Sequence, residues 1–86
     1  MRVGLAGSVE SNDIMITVSE SDSLIIEIDS IVDAFFHDQI EKVIKDTLNE
    51  LNISNVKVVC VDKGALDYTI KARLVTALMR MGVYHA

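Results

Sequence analysis

The stretch Gly7-Ser8-Val9-Glu10-Ser11-Asn12-Asp13-Ile14-Met15 constrains this chain more than any other. A polar knot, Glu10 to Asp13, separates two runs with strand character, Val3 to Val9 and Ile14 to Ser19. Asn and Asp hydrogen-bond their own backbone and tolerate positive φ, so Asn12-Asp13 marks a turn with a mechanism behind it. Two strands joined in this way form a hairpin. Its tip carries the hydroxyl of Ser11. Four polar residues offer few apolar contacts, so the tip is expected to be held by its own hydrogen bonds alone.

Downstream, Ser19 to Ser23 is a polar break, and Leu24 to Ile28 reads as a third strand. Three consecutive strands with short connections predict an antiparallel meander. Ser30 and Asp33 have capping-box-like spacing, and Ile31-Val32 and Phe35-Phe36 are expected as buried apolar pairs. Ile40, Val43, Ile44, Thr47, Leu48 and Leu51 recur with a 3.6-residue period, which predicts a helix from about His37 to Leu51. Val56 to Val61 is a nearly unbroken β-branched run, as expected of a strand at the centre of a sheet. After Asp62-Lys63-Gly64 the helical period returns from Leu66 or Asp67, through Leu66, Ile70, Leu74, Ala77, Leu78 and Met81. Asp67 is placed to cap this helix and Gly82 to end it, although Tyr68, Ile70, Ala72 and Leu74 also alternate as a strand would.

The fold class is therefore α+β, in the order β-β-β-α-β-α. Residues 1–86 form one domain: a four-stranded, mostly antiparallel sheet with both helices on one face. The other face would be polar, or apolar if it docks on a partner. Half of the residues are apolar, enough for a core that buries roughly 60–65% of the unfolded surface.

Charge and residue content narrow the function. Eight Lys and Arg against 13 Asp and Glu leave a net charge of −5, which argues against nucleic acid as a partner and favours basic protein surfaces. No run reaches the roughly 20 apolar residues a membrane span requires. The single cysteine, Cys60, reads as a core residue in a reducing cytoplasm. His37 and His85 lie far apart, and no metal-ligand spacing, nucleophile elbow or phosphate-cradling glycine loop occurs. Autonomous catalysis is disfavoured, because so short a chain offers little concave surface.

The segment Ala6-Gly7-Ser8-Val9-Glu10-Ser11-Asn12-Asp13-Ile14-Met15 resembles the attachment motif of the citrate lyase acyl carrier family, the γ subunits of that complex. A second block, Asp62-Lys63-Gly64-Ala65-Leu66-Asp67 running on through Lys71-Ala72-Arg73-Leu74, is similar to the family's other signature. The two blocks occur in the family's order and at about its separation. His37 departs from the pattern, standing where relatives often have glycine.

The resemblance implies a non-catalytic carrier domain. Its serine after the glutamate, here Ser11, would carry phosphoribosyl-dephospho-coenzyme A through a phosphodiester. Glu10, Asn12 and Asp13 are its motif neighbours, and Glu10 and Asp13 would offer acidic recognition to a basic transferase. Many relatives have a second serine where this chain has Asn12. The implied partners are the citrate lyase α and β subunits, the prosthetic-group transferase and the acetate-ligase activating enzyme. The resemblance extends to the carrier subunit of malonate decarboxylase, the alternative reading, which the second block disfavours. A different class of alternative is a regulatory or adaptor domain of the same fold that carries no group. The physical reading of the second block is structural: Gly64 supplies a positive φ and Asp67 caps.

Overall fold

A computed structural model describes residues 2–30 and 34–85, with the backbone alone at positions 34 and 35. The elements are β1 (Val3–Gly7), β2 (Ile14–Glu20), β3 (Ile25–Ser30), α1 (Ala34–Glu50), β4 (Val56–Asp62) and α2 (Asp67–Met81). Element types and order match the sequence reading. The boundaries differ where side chains compete with the backbone. β1 stops at Gly7 rather than Val9, because Ser8 Oγ accepts the Glu10 N–H at 3.3 Å and draws the chain off the ladder.

The sheet order is β1-β2-β4-β3. β1 and β2 form the expected hairpin, with Gly7 opposite Met15, and β4 pairs antiparallel with β2. The expected meander does not form. β3 lies on the far side of β4 and runs parallel to it, with Ile28 opposite Cys60. A parallel neighbour needs a crossover of a dozen or more residues, and α1 supplies it. Two of the three pairings remain antiparallel, and β4 is central, as its β-branched run implied.

One face of the sheet is closed by both helices. Ile14, Ile16, Val18, Val56, Val58 and Cys60 point into it and meet Ile40, Ile44 and Leu48 of α1 and Ile70, Leu74, Ala77, Leu78 and Met81 of α2. β1 presents Gly4 and Ala6 to this side. A Cβ at Gly4 would lie 2.0 Å from the Ala77 carbonyl oxygen, so only glycine lets the strand approach α2 so closely. The open face carries Leu5, Thr17, Val59 and Glu27 in one row: apolar in part, charged toward the β3 edge.

The helix-entry expectations fare less well. α1 begins before His37, and Phe36 is 49% exposed rather than buried. Ile31, Val32 and Asp33 lie outside the described residues, as does the Phe35 side chain. Leu66, not Asp67, is the N-cap of α2. It makes no side-chain cap bond, while Asp67 accepts a 2.8 Å hydrogen bond from Gln39 Nε2 and so links the two helices. Gly82 closes α2 as read, in the left-handed conformation. Cys60 is buried, and desolvation, with the nearby Asp62 charge, pushes its thiol up to about 12, so it behaves as a core residue.

Candidate functional site

The end of the sheet where β1 passes into β2 brings both sequence blocks together. The Asp13 N–H donates to the Glu10 carbonyl at 3.1 Å and closes a turn over Ser11 and Asn12. Asn12 adopts φ 67° at the position where such turns require a positive φ, as its side-chain chemistry allowed. The turn then leans on β4. The Asn12 N–H donates to the Lys63 carbonyl at 2.8 Å, and the Lys63 N–H donates to the Asp13 carbonyl at 2.9 Å. Two residues thus oppose one, the first of them left-handed: a G1-type bulge with asparagine in the glycine position.

The tip is therefore held by more than its own hydrogen bonds, contrary to expectation. The tethering partner is the second block. Gly64 turns the chain at φ 97°, and a Cβ at this position would lie 3.6 Å from Asn12 Oδ1. Asp62 is 2% exposed and shapes the same loop, accepting Ser30 Oγ–H at 2.9 Å and the Ala65 N–H at 3.0 Å. The structural reading of this block is borne out at Gly64 and not at Asp67, and the anchoring by Asp62 was not anticipated.

Asp13 is the junction of the site. Its carboxylate takes a two-pronged hydrogen bond from Arg73 of α2, Nε to Oδ1 at 3.0 Å and Nη2 to Oδ2 at 3.1 Å. It also accepts Ser8 Oγ–H at 2.7 Å and its neighbour's Ile14 N–H at 2.7 Å. The Arg73 guanidinium foremost, then the Ser8 hydroxyl and the Ile14 amide, hold the carboxyl at about 2, below its ordinary 3.8. An acid engaged in this way braces the turn and does not face outward. Glu10 is the exposed acid of the pair. Sequence reasoning missed Arg73, since nothing local links residues 60 positions apart. Its place in the second block was the available signal.

The two serines of the motif now separate. Ser8 donates to Asp13 and accepts from Glu10. Ser11 is exposed, and among the described residues its hydroxyl makes no hydrogen bond. Beside the turn, a cleft of about 400 Å³ opens between the first turns of the two helices, walled by Phe36, Ile40, Ala65, Leu66 and Ile70. Its polar lining is engaged: Gln39 with Asp67, and Asp62 with Ser30 and Ala65. Leu66 and Tyr68 at its mouth are 60% and 73% exposed.

The Ser11 hydroxyl therefore stands exposed on a turn that Arg73 and Lys63 hold in place. Residues 1–81 match the family model of the malonate decarboxylase delta subunit, an acyl carrier family, and the chain belongs to that family. Within it, the similar relatives are citrate lyase acyl carrier proteins. That of Oenococcus oeni is 52% identical over 92% of this chain and 82% of its own length. The Streptococcus mutans protein is 48% identical over 92% and 79%, and the Haemophilus influenzae protein 44% over 92% and 83%. The recognition made from the two blocks stands, and these relatives are named as carriers rather than catalysts.

Solved structures share the fold. A chain of a Pseudomonas malonate decarboxylase hetero-tetramer superposes with a TM-score of 0.82 at 17% identity, covering 94% of this chain and 84% of its own. The Staphylococcus aureus RNase P protein superposes with a TM-score of 0.59 at 12% identity over the same shares. Both likenesses concern the fold alone. No helix among the described residues is long and apolar enough to cross a membrane.

Proposed function

We propose that this chain is the acyl carrier subunit of a citrate lyase complex and that Ser11 is the attachment point of its prosthetic group. The observation that carries the assignment is the contrast between the two motif serines: Ser8 is committed to Asp13 at 2.7 Å, whereas Ser11 is exposed and its hydroxyl has no hydrogen-bond partner among the described residues. A serine that must form a phosphodiester needs a reachable oxygen and a backbone that does not yield when the modifying enzyme closes on it. The Glu10–Asp13 turn has both properties. Asn12 leaves one acceptor hydroxyl at the tip where many relatives have two.

The group that fits this site is phosphoribosyl-dephospho-coenzyme A, the arm implied by the family resemblance. When attached, it supplies a terminal thiol that carries acetyl or citryl as a thioester. The chain's own contribution is to hold the point of attachment still, so that one tether reaches two active sites at high effective concentration. The partners are the α subunit, which exchanges the acyl group, and the β subunit, which cleaves it. The transferase and the acetate-ligase activating enzyme prepare the carrier. Glu10 remains outward to meet a basic transferase. A cytoplasmic location is in keeping with a lone, buried, unpaired cysteine.

Malonate decarboxylase is the second reading, favoured by the description of the matched family. Identities of 44–52% to citrate lyase carriers, against 17% to the superposed malonate decarboxylase chain, weigh for citrate lyase. Co-expression of Ser11→Ala with the prosthetic-group transferase tests the site. The variant should fold, melt within about 0.5 kcal/mol of the parent stability and keep its apo mass. Gain of the full arm mass by that variant would overturn the assignment.

A further inference from the structure

We infer that Arg73 is a positioning residue for attachment: its guanidinium, through Asp13, keeps the Glu10–Asp13 turn in the one shape in which the Ser11 oxygen meets the modifying enzyme. The inference rests on Ser11 being the acceptor.

The Asp13 carboxylate joins three elements. Ser8 comes from the end of β1, Ile14 from the start of β2, and Arg73 from the middle of α2. An ionised carboxylate offers about four acceptor positions, and these four contacts use them. Only a planar fork with two parallel N–H groups spans both oxygens while leaving room for the other donors. Arg73 is itself fixed by its helix, since Ile70, Leu74 and Ala77 around it are at most 1% exposed. The ion pair therefore transmits the rigidity of the core to a turn that contributes no apolar side chain of its own between Glu10 and Asp13.

Without the fork, the two backbone tethers to Lys63 remain, and they close on a turn free to sample other shapes. A partner that recognises one shape then binds more weakly in proportion to the fraction of chains that have it, while the chemical step, once bound, is unchanged. A loosened brace thus raises KM and spares kcat. A residue that touched the transferred group would lower kcat instead.

The test uses the full-length apo chain with its transferase and arm donor, followed by intact mass, for the parent, Arg73→Gln and Arg73→Lys. Arg73→Gln should raise KM about tenfold at nearly constant kcat, with Arg73→Lys between the two, since an ammonium keeps the charge but not the fork. In the same variant the Asn12 and Lys63 amides should exchange about tenfold faster with those of Ile16 and Val58 unchanged. The Asp13 carboxyl, followed by NMR, should titrate upward. Parent-like kcat/KM would overturn the inference, as would a rise in KM with the Asn12 and Lys63 amides unmoved. Asp13→Asn serves as a second variant with the same expected pattern if Arg73→Gln does not fold. Fragmentation of the modified parent separates the two readings: an arm on another serine defeats the assignment to Ser11, while the amides still report on the brace.

Discussion

Two turns of this molecule look alike in sequence and are built differently. Glu10-Ser11-Asn12-Asp13 joins β1 to β2, and Ser21-Asp22-Ser23-Leu24 joins β2 to β3 at the opposite end of the sheet. Both are short and largely exposed, both are polar apart from Leu24, and both offer serines. The first has a two-pronged ion pair to α2 and two backbone bonds of 2.8 and 2.9 Å to the β4–α2 loop. The second has a 3.3 Å bond from the Ser21 N–H to the Asn55 carbonyl and a 3.4 Å bond from the Ser23 N–H to Ser21 Oγ. Each also has an arginine–carboxylate pair at its edge. Arg73 and Asp13 are 43% and 16% exposed, whereas Arg2 and Glu20 are 56% and 45% exposed, where solvent screens the attraction. What sets the proposed attachment site apart is an exposed hydroxyl on a backbone that is held. Exposure alone would not tell Ser11 from Ser23.

The largest expected effect tests whether the two turns share one support. Ile44 and Leu48 of α1 are 0% and 1% exposed at the centre of the core. Truncating either to Ala should cost about 2–5 kcal/mol, a large share of what a domain this small possesses. Both turns should lose protection together as the melting point falls. Loss at one turn alone, or a parent-like melt, would mean that the ends of the sheet are stabilised separately.

How much of this contrast could be read beforehand depends on the range of the interaction. The β1–β2 turn, the α1 stripe through Ile44 and Leu48, and the end of α2 at Gly82 are local patterns, and local patterns were legible. Ser11 as the candidate residue was legible too, from the motif. The position of β3 was not, because a strand's own residues do not say which edge it joins. The stretch β3–α1–β4 is a strand–helix–strand unit, and its length was the clue to a parallel pairing. The brace was invisible for a related reason. Asp13 looks like any turn acid until the fold brings Arg73 to it across 60 residues.

An intermediate effect sharpens the difference between the two ion pairs. Asp13→Asn keeps the shape but removes the charge that Arg73 grips, and should cost about 1–3 kcal/mol at neutral pH. The pH dependence carries the signature. The Asp13 carboxyl is held at about 2 when folded against an ordinary 3.8, so its contribution is complete above the unfolded value and is lost as pH falls through the folded one. Denaturant melts should show a constant gap between parent and variant above about pH 5 and a narrowing gap from about pH 4 down to 2. Glu20 is also lowered, by its hydrogen bond to Arg2 foremost, but the pair is exposed and screened by solvent, and Glu20→Gln should leave the curve nearly unchanged. Equal gaps for the two variants would remove the distinction between a brace and a surface pair.

The smallest effect needs no substitution. In the apo protein, amide exchange should divide the first turn within itself. Among the described residues the Ser11 N–H makes no hydrogen bond, whereas the Asn12 N–H is committed to Lys63 at 2.8 Å and the Lys63 N–H to Asp13 at 2.9 Å. Ser11 should therefore exchange quickly and its neighbour slowly, with at least about a tenfold difference between adjacent residues. Asp22 and Ser23 should both exchange quickly, because the β2–β3 turn offers them nothing stronger than the 3.4 Å contact to Ser21. Ile16 and Val58, paired within the sheet, set the slow limit. Uniformly fast exchange from Glu10 to Asp13 would make this turn the equal of the other and leave Ser11 on a floppy loop. Uniformly slow exchange would place Ser11 where an enzyme has to unfold the turn to reach it. Only the split pattern describes a serine that is held and offered at once.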